Sequence, residues 1–458
     1  MKVRLLAAVA TAVLLGAGAP VPAAAGPTGP AVSVASRPAV SVAPGPAVSG
    51  APGPAVSVAP GPAVSGTPGP AGVTPASGVV PPAPCPKAPA PRMSRPPRPS
   101  PPPAEPQERA VGGPALDTAG LVVPAGAARP PAVTAISWLV ADLDTGQVLG
   151  GCGPHEYGTP ASVQKLLLAA TMLPRLDPQQ VVTVTDGDMD IEPGSSAVGL
   201  VAGGRYRIET VWLGLLLQSG NEAANVLARL GGGPDGMAGG VRAMNEEAHR
   251  LGALQTHAVT PSGLDGKGQF TSAYDLALIA RACFADPTFR RYALTEAHRI
   301  PAQPAQRTKG FEIQNENQLI YRYPGALGGK TGFTDLARHT YVGAAQRNGR
   351  RLVVTLLGAE PQPARGWEQG AALLDWGFSL PRGAAVGRLV EPGELTASAA
   401  ATPSVLAATG EPRPAAASGP LEDGLVARWP VAAVVAAVIG LLGAALLWRR
   451  RAGRRRPS

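Results

Sequence analysis

Between residues 43 and 66 the chain runs through three near-copies of an eight-residue unit, APGPAVSG, APGPAVSV and APGPAVSG. From Gly26 to about Gly113 it is built chiefly of Pro, Ala, Gly, Val and Ser and closes with PPRPSPPPAEPQE. Such a stretch has too few large apolar side chains to offset the entropy of ordering its backbone. A disordered, partly polyproline spacer is therefore expected over 26–113. A collagen helix is excluded because glycine does not recur at every third position. The same texture returns over 381–427, a second Pro/Ala-rich linker. Only the 114–380 stretch between them is left to build a core, and its length is ample for one.

The two ends carry membrane signals. Residues 1–25 set Lys2 and Arg4 before an apolar run and end in small residues at Ala23 and Ala25, the pattern of a secretory signal peptide. Residues 429–448, WPVAAVVAAVIGLLGAALLW, carry no charge over a length that matches the hydrocarbon thickness of a bilayer. A transmembrane helix is expected there. The Arg-rich tail 449–458 follows at once, so the positive-inside rule puts the C-terminus in the cytoplasm and the bulk of the chain outside. A single-pass protein of the cell membrane results.

The net charge of +9 is a consequence of that topology. The tail holds six arginines and the signal peptide two positive charges, while the spacer adds a net +4, which leaves the remainder at −3. No nucleic-acid partner is expected. The five histidines and three cysteines show no metal-ligand spacing, so no metal is expected. Export permits a disulfide, for which Cys152 with Cys283 is the expected pair, and Cys85 is left over in the Pro-rich tract.

Inside the folded stretch, ISWLVADLDTGQVLG alternates apolar and polar residues about an Asp-Thr-Gly turn, which predicts a β-hairpin. Helix-like runs follow, including IETVWLGLLLQSGNEAANVLARL and SAYDLALIARACF, then a strand at RRLVVTLLGAE and a helix at GWEQGAALLDWGF. The expected class is α+β.

Three short patterns carry chemistry. In TPASVQKLLLAATML, Ser162 and Lys165 lie three apart, so one helical turn brings the amine to the hydroxyl. A neutral lysine can then act as a base, and burial near another positive charge favours that state. Alone, the pair also fits a helix cap with a solvated charge. In LLLQSGNEAANVLA, Ser219 and Asn221 place a hydroxyl and an amide at alternate positions of a turn. In GALGGKTGFTD, Lys330, Thr331 and Gly332 enter a strand whose edge can take an extended peptide. The ordered set S-x-x-K, S-x-N, K-T-G is the signature of penicillin-binding proteins and serine β-lactamases.

The stretch from about Ala132 to Phe378 resembles the D-alanyl-D-alanine carboxypeptidases, the low-molecular-mass penicillin-binding proteins. VADLDTGQVLG, TPSGLDGKGQFTSAYDLALIARA, NENQLIYRYPGALGGKTGFTD and LLDWGF are similar to that family as well. The resemblance implies a serine β-lactamase/DD-peptidase-like fold, with an antiparallel sheet flanked by helices plus an all-helical subdomain, and it implies no cofactor. It further implies that Ser162 attacks the bond between two terminal D-alanines of a peptidoglycan stem peptide while Lys165 takes its proton. The oxyanion would lie between the N–H groups of Ser162 and Phe333. Ser219 and Lys330 would return the proton to the leaving amine, Asn221 would hold the peptide amide, and Thr331 with Arg365 would meet the terminal carboxylate. β-Lactam antibiotics would acylate the same serine. The sequence ARHTYVG departs from the family's usual Gly-Tyr or Gly-Asn after K-T-G, and Arg338 and His339 there are expected to alter the strand or the pocket edge. Two rivals stand beside this reading. A serine β-lactamase would need a deacylating glutamate and S-D-N, whereas the chain has S-G-N; a non-catalytic wall-binding protein would not need three intact motifs.

Overall fold

The expected hairpin forms as β2 (Ser137–Asp142) and β3 (Gln147–Cys152), and its turn shows why. Asp142 Oδ1 accepts from the N–H groups of Asp144 and Thr145, both at 3.0 Å, and Gly146 supplies the positive φ of 74° that closes the loop. The computed structural model describes residues 82–91, 96–103 and 105–401, with side chains through residue 397. The signal peptide 1–25, all of the repeats at 43–66 with most of the spacer around them, residues 402–427 of the second linker, the segment 429–448 and the tail 449–458 lie outside the described residues.

The hairpin enters a seven-stranded antiparallel sheet. Its order is β1 (Leu121–Val122), β3, β2, β10 (Arg350–Ala359), β9 (Arg338–Arg347) and β8 (Ala326–Thr334), and β11 (Gly387–Arg388) pairs the edge of β3 beside β1. Strands β9 and β10 are joined through Asn348 and Gly349, both at positive φ (50° and 72°), the tight turn that suits the twist of two long strands. Two ribbons stand apart from this sheet: β4 (Val181–Thr183) with β5 (Arg205–Arg207), and β6 (Ala297–Ile300) with β7 (Phe311–Gln314).

Helices cover both faces of the sheet. Trp138 and Val140 of β2, with Leu352 and Val354 of β10, pack against Leu373, Leu374 and Trp376 of α9 (Gly366–Ser379). Leu139, Ala141 and Val353 face the opposite way, onto α2 (Lys165–Met172) and α6 (Ala273–Ala285). This is why all six residues of β2 are buried although its sequence alternates: each face meets its own apolar layer. Beyond α2 lies a helical body of α3 (Ile208–Leu217), α4 (Asn221–Gly231) and α5 (Gly236–Leu251). Nine of the ten α3 residues are buried, as a helix apolar on every side requires. Shorter helices complete the unit: α1 (Pro106–Arg109), α7 (Pro287–Ala293), α8 (Leu319–Arg322) and α10 (Glu394–Ala401).

The folded unit runs past both expected boundaries. On the N-terminal side, Leu121 N–H donates to Ala83 O at 2.7 Å, Lys87 pairs with Val133, and Val111 is buried. On the C-terminal side, Leu389 and Val390 are buried beyond residue 380. Backbone pairing to strands recruits these segments, a force that composition does not register. The cysteine pairing is also corrected. Cys152 is bonded to Cys85, with Cα atoms 5.9 Å apart, and Cys283 is free and buried, its thiol donating to Leu166 O at 3.2 Å. Pairing of residues 83–87 with the domain carries Cys85 to the end of β3, whereas α6 points Cys283 into the helical core.

Candidate active site

Ser162 lies on a 3-10 turn, Ala161–Gln164, that runs directly into α2. The turn is clamped from three sides. Thr340 Oγ1 of β9 donates to Pro160 O at 2.8 Å. Gln164 Nε2 donates to Thr260 O and to Gln269 Oε1, at 2.6 and 3.0 Å, which fixes the 260–269 loop. From α4, Asn221 Oδ1 accepts from Lys165 Nζ at 2.8 Å. Glycine is obligatory at two of these seams: a Cβ on Gly263 would sit 1.9 Å from Ala161 O, and one on Gly332 would sit 2.9 Å from Ser162 N.

Lys165 Nζ donates to Ser162 Oγ at 2.8 Å and to Ser262 O at 2.9 Å. Its side chain has no solvent exposure. Burial, followed by repulsion from the Lys330 ammonium, holds its proton affinity well below the ordinary lysine value, and Glu222 opposes the shift. Lys330 is buried too, its Nζ donating to Thr331 O at 2.8 Å, and burial pushes its pKa down to about 8 against the pull of Glu316. Ser219 sits at φ 60° with its Oγ buried and without a protein partner among the described residues. Such an orphaned hydroxyl costs free energy unless a ligand or solvent meets it.

These groups converge on a cleft of about 500 Å³ whose walls include Ser162, Ser219, Asn221, Thr331, Gly332 and Phe333. Among the described residues strand β8 pairs only with β9, so its other edge is open along this cleft. Phe333 is 49% exposed and stacks at 4.8 Å on the ring of His339, which also lines the cleft. A larger cavity, about 650 Å³, lies between the 96–102 segment and Tyr157, Phe270 and Leu336, and none of the three motifs reaches it.

One expectation about the cleft is corrected. Arg365 is exposed at the N-terminus of α9, its N–H donating to Glu368 Oε2, and it does not line the cleft, because the 360–366 loop ends where the helix begins. Arg338, at φ 57°, forms a buried ion pair with Glu360 at 3.1 and 3.2 Å, and its guanidinium lies 5.3 Å from the centre of the Phe333 ring at the cleft. Other residues escaped notice in the sequence. Glu222 is fully buried, and its Oε1 accepts from the N–H groups of Val198, Gly199 and Leu200, which holds the loop before Ser219. Glu192, Asp265, Glu316 and Asp335 line the cleft. An acidic residue after S-x-N, inside an otherwise apolar helix face, was the one available signal for Glu222. Among the described residues no cluster of His, Cys, Asp and Glu suits a metal ion.

Residues 125–361 match the sequence profile of the family described as D-alanyl-D-alanine carboxypeptidase. The chain belongs to the D-alanyl-D-alanine carboxypeptidase family. Membership makes it a serine hydrolase. The D-alanyl-D-alanine carboxypeptidase DacB2 of Mycobacterium tuberculosis is 44% identical over 273 residues, which span 58% of this chain and 90% of that protein. Escherichia coli DacD of the same family is 33% identical over 264 residues, 54% of this chain and 64% of that one. A crystal structure of the M. tuberculosis carboxypeptidase aligns with a TM-score of 0.55 at 42% identity, covering 58% of this chain and all of that chain. The Streptomyces K15 DD-transpeptidase aligns at 0.53 and 25% identity, covering 55% of this chain and all of its own. The carboxypeptidase fold thus accounts for the α+β class and the antiparallel sheet.

Proposed function

We propose that this carboxypeptidase removes the terminal D-alanine from peptidoglycan stem pentapeptides through an acyl-enzyme, outside the cell, while held to the membrane by residues 429–448. The observation that carries the reading is the 2.8 Å contact between a buried, charge-depleted amine and a serine hydroxyl at the foot of a cleft with an open strand edge. The membrane part rests on the uncharged segment and its arginine tail alone.

Neutral Lys165 takes the proton of Ser162 as Oγ attacks the carbonyl between the two D-alanines. The oxyanion is met by the N–H groups of Ser162 and Phe333, donors of a kind worth roughly 3 kcal/mol each in the transition state. The tetrahedral adduct collapses when Ser219, charged in turn by Lys330, hands a proton to the leaving amine, and free D-alanine departs. The peptide lies along the edge of β8, with Asn221 on its amide and Thr331 beside its carboxylate. Water then attacks the ester and gives up a proton that restores charged Lys330, while Lys165 returns its own proton to Ser162. A β-lactam follows the same path to the ester, but its opened ring stays attached and blocks the water.

The sign of the pH dependence follows. Activity needs Lys165 neutral and Lys330 charged, so kcat/KM rises as pH climbs through the depressed Lys165 pKa and falls as Lys330 loses its proton near pH 8. A bell with its basic limb near 8 is expected from a pH series, and a plateau running to pH 10 would remove Lys330 from the mechanism. The reaction itself is tested by incubating the protein with a synthetic stem pentapeptide. Mass spectrometry should record loss of one alanine, and incubation with penicillin should leave one adduct on the peptide that holds Ser162. Steady turnover of a chromogenic cephalosporin would point instead to a β-lactamase.

A further inference from the structure

Lys330 has to carry its proton to charge Ser219, yet its setting opposes the charge. The side chain is 2% exposed, and burial drives an ammonium toward the neutral amine. Its Nζ can donate three hydrogen bonds, and Thr331 O takes one of them at 2.8 Å. A carbonyl dipole is a weaker support for a buried cation than a carboxylate.

Glu316 lines the cleft on the short loop 315–318 between β7 and α8. The two asparagines that flank it are buried and pin the loop to different elements. Asn315 Nδ2 donates to Ala293 O and Thr295 O, at 3.2 and 3.0 Å, while Asn317 Oδ1 accepts from the Tyr341 hydroxyl of β9 at 3.1 Å. Glu316 donates its own N–H to Leu217 O at 3.1 Å, where α3 ends two residues before Ser219. Its backbone is thus fixed near Ser219 before any substrate arrives.

The other charged groups of the cleft are engaged elsewhere. Lys165 of α2 is neutral in the proposed reaction and supplies no counter-charge. Glu222 of α4 acts on Lys165, and Asp265 of the 260–269 loop accepts from Thr334 Oγ1 at 2.8 Å. Asp335, in the turn after β8, acts on the Arg338 guanidinium, and His339 of β9 stacks on Phe333. Glu192 stands exposed on another wall. The Glu316 carboxylate favours the Lys330 ammonium against burial, and Lys330 in turn favours the ionised form of Glu316.

We infer that Glu316 is a positioning residue that keeps Lys330 protonated during the reaction and so sets the upper pH limit of the enzyme. It acts through Lys330 and not on the substrate. The inference rests on the proton-transfer scheme above, in which charged Lys330 serves Ser219. An anion beside a buried ammonium stabilises the charged form, so its removal lets Lys330 lose the proton at lower pH. The acid limb belongs to Lys165, which answers to Lys330 and Glu222, so it should stay in place.

The test follows the alkaline limb in the full chain. Glu316→Gln is expected to move the basic limb of kcat/KM for a stem pentapeptide down by about one pH unit, which lowers the value at pH 8 about fivefold. Glu316→Asp keeps the charge and should return most of that displacement. Glu192→Gln removes an equal charge from another wall and should leave the limb where it is. A merely structural role for Glu316 would lower the whole bell and displace neither limb. Lys330 is also read directly, by carbon-13 NMR of the full chain carrying lysine labelled at Cε, with its resonance identified by its absence from Lys330→Arg. Its titration midpoint should fall by the same amount in Glu316→Gln, a readout that needs no turnover. An unmoved midpoint, or a limb that moves as far in Glu192→Gln, would overturn the role of Glu316. A midpoint that shifts in a chain whose wild type releases no D-alanine would instead overturn the reaction and leave the pairing of the two charges standing.

Discussion

Replacing Lys165 by methionine is expected to lower the rate of acylation by penicillin, and of D-alanine release, by about 10⁴-fold, the upper end of what a positioned general base contributes. The side chain has no solvent exposure and donates to Ser162 Oγ, Asn221 Oδ1 and Ser262 O. Methionine fills a similar volume but can neither accept a proton nor donate. Stability should change little, because the cost of leaving two buried acceptors unmet is offset by removing a buried amine. Lys165→Arg separates the base from the hydrogen-bond donor. Arginine keeps a donor near the serine yet stays protonated, so the proposed role predicts a loss as deep as that of methionine. Stopped-flow acylation with circular dichroism as the fold control reads both. An arginine variant within tenfold of the wild type would show that the ammonium positions Ser162 and does not take its proton.

What the sequence made legible follows the range of the interaction. Ser162 and Lys165 are three apart, and one turn settles their contact before any tertiary structure exists. Ser219, Asn221 and Lys330 were readable only as members of an ordered set, since the folding of α4 and β8 around that turn depends on the whole domain. Arg338 is legible as a departure at the strand, but its ion pair is not, because its partner, Glu360, follows the last residue of β10 and only the β9–β10 pairing brings the two together. Glu222 defeated it differently. A glutamate in the first turn of a helix reads as a solvated charge that suits the dipole, and nothing in its neighbours announces the three backbone N–H groups that it meets from residues 198–200. Arg365 enters only through the family resemblance, and its position at the start of α9 depends on where a loop ends, which motif spacing does not specify.

The cysteines carry the second large effect. Cys85→Ser is expected to destabilise the protein by about 4 kcal/mol, the loop-entropy value for a bridge that closes a loop of this size, since the sequence separation is 67. In a domain of this size that corresponds to a fall in Tm of roughly 10 °C. The segment around Cys85 has little else to hold it: the Lys87–Val133 pairing, the Lys87 ammonium on Ala135 O and Ile136 O, and the Ala83 O contact with Leu121. Its release should therefore also expose residues 82–103 to protease while the sheet remains folded. Cys283 makes the comparison decisive. It is a free thiol packed in α6 against Leu166 O, so Cys283→Ala removes one small buried group and should cost about 1 kcal/mol. A bridge between Cys152 and Cys283 would reverse the order, leaving Cys85→Ser neutral and making Cys283→Ala the damaging change. Melting curves of the two variants under non-reducing conditions, with peptide mapping of the intact bridge, distinguish the pairings. A Cys85→Ser protein that melts with the wild type would detach the Pro-rich segment from any part in the stability of the fold.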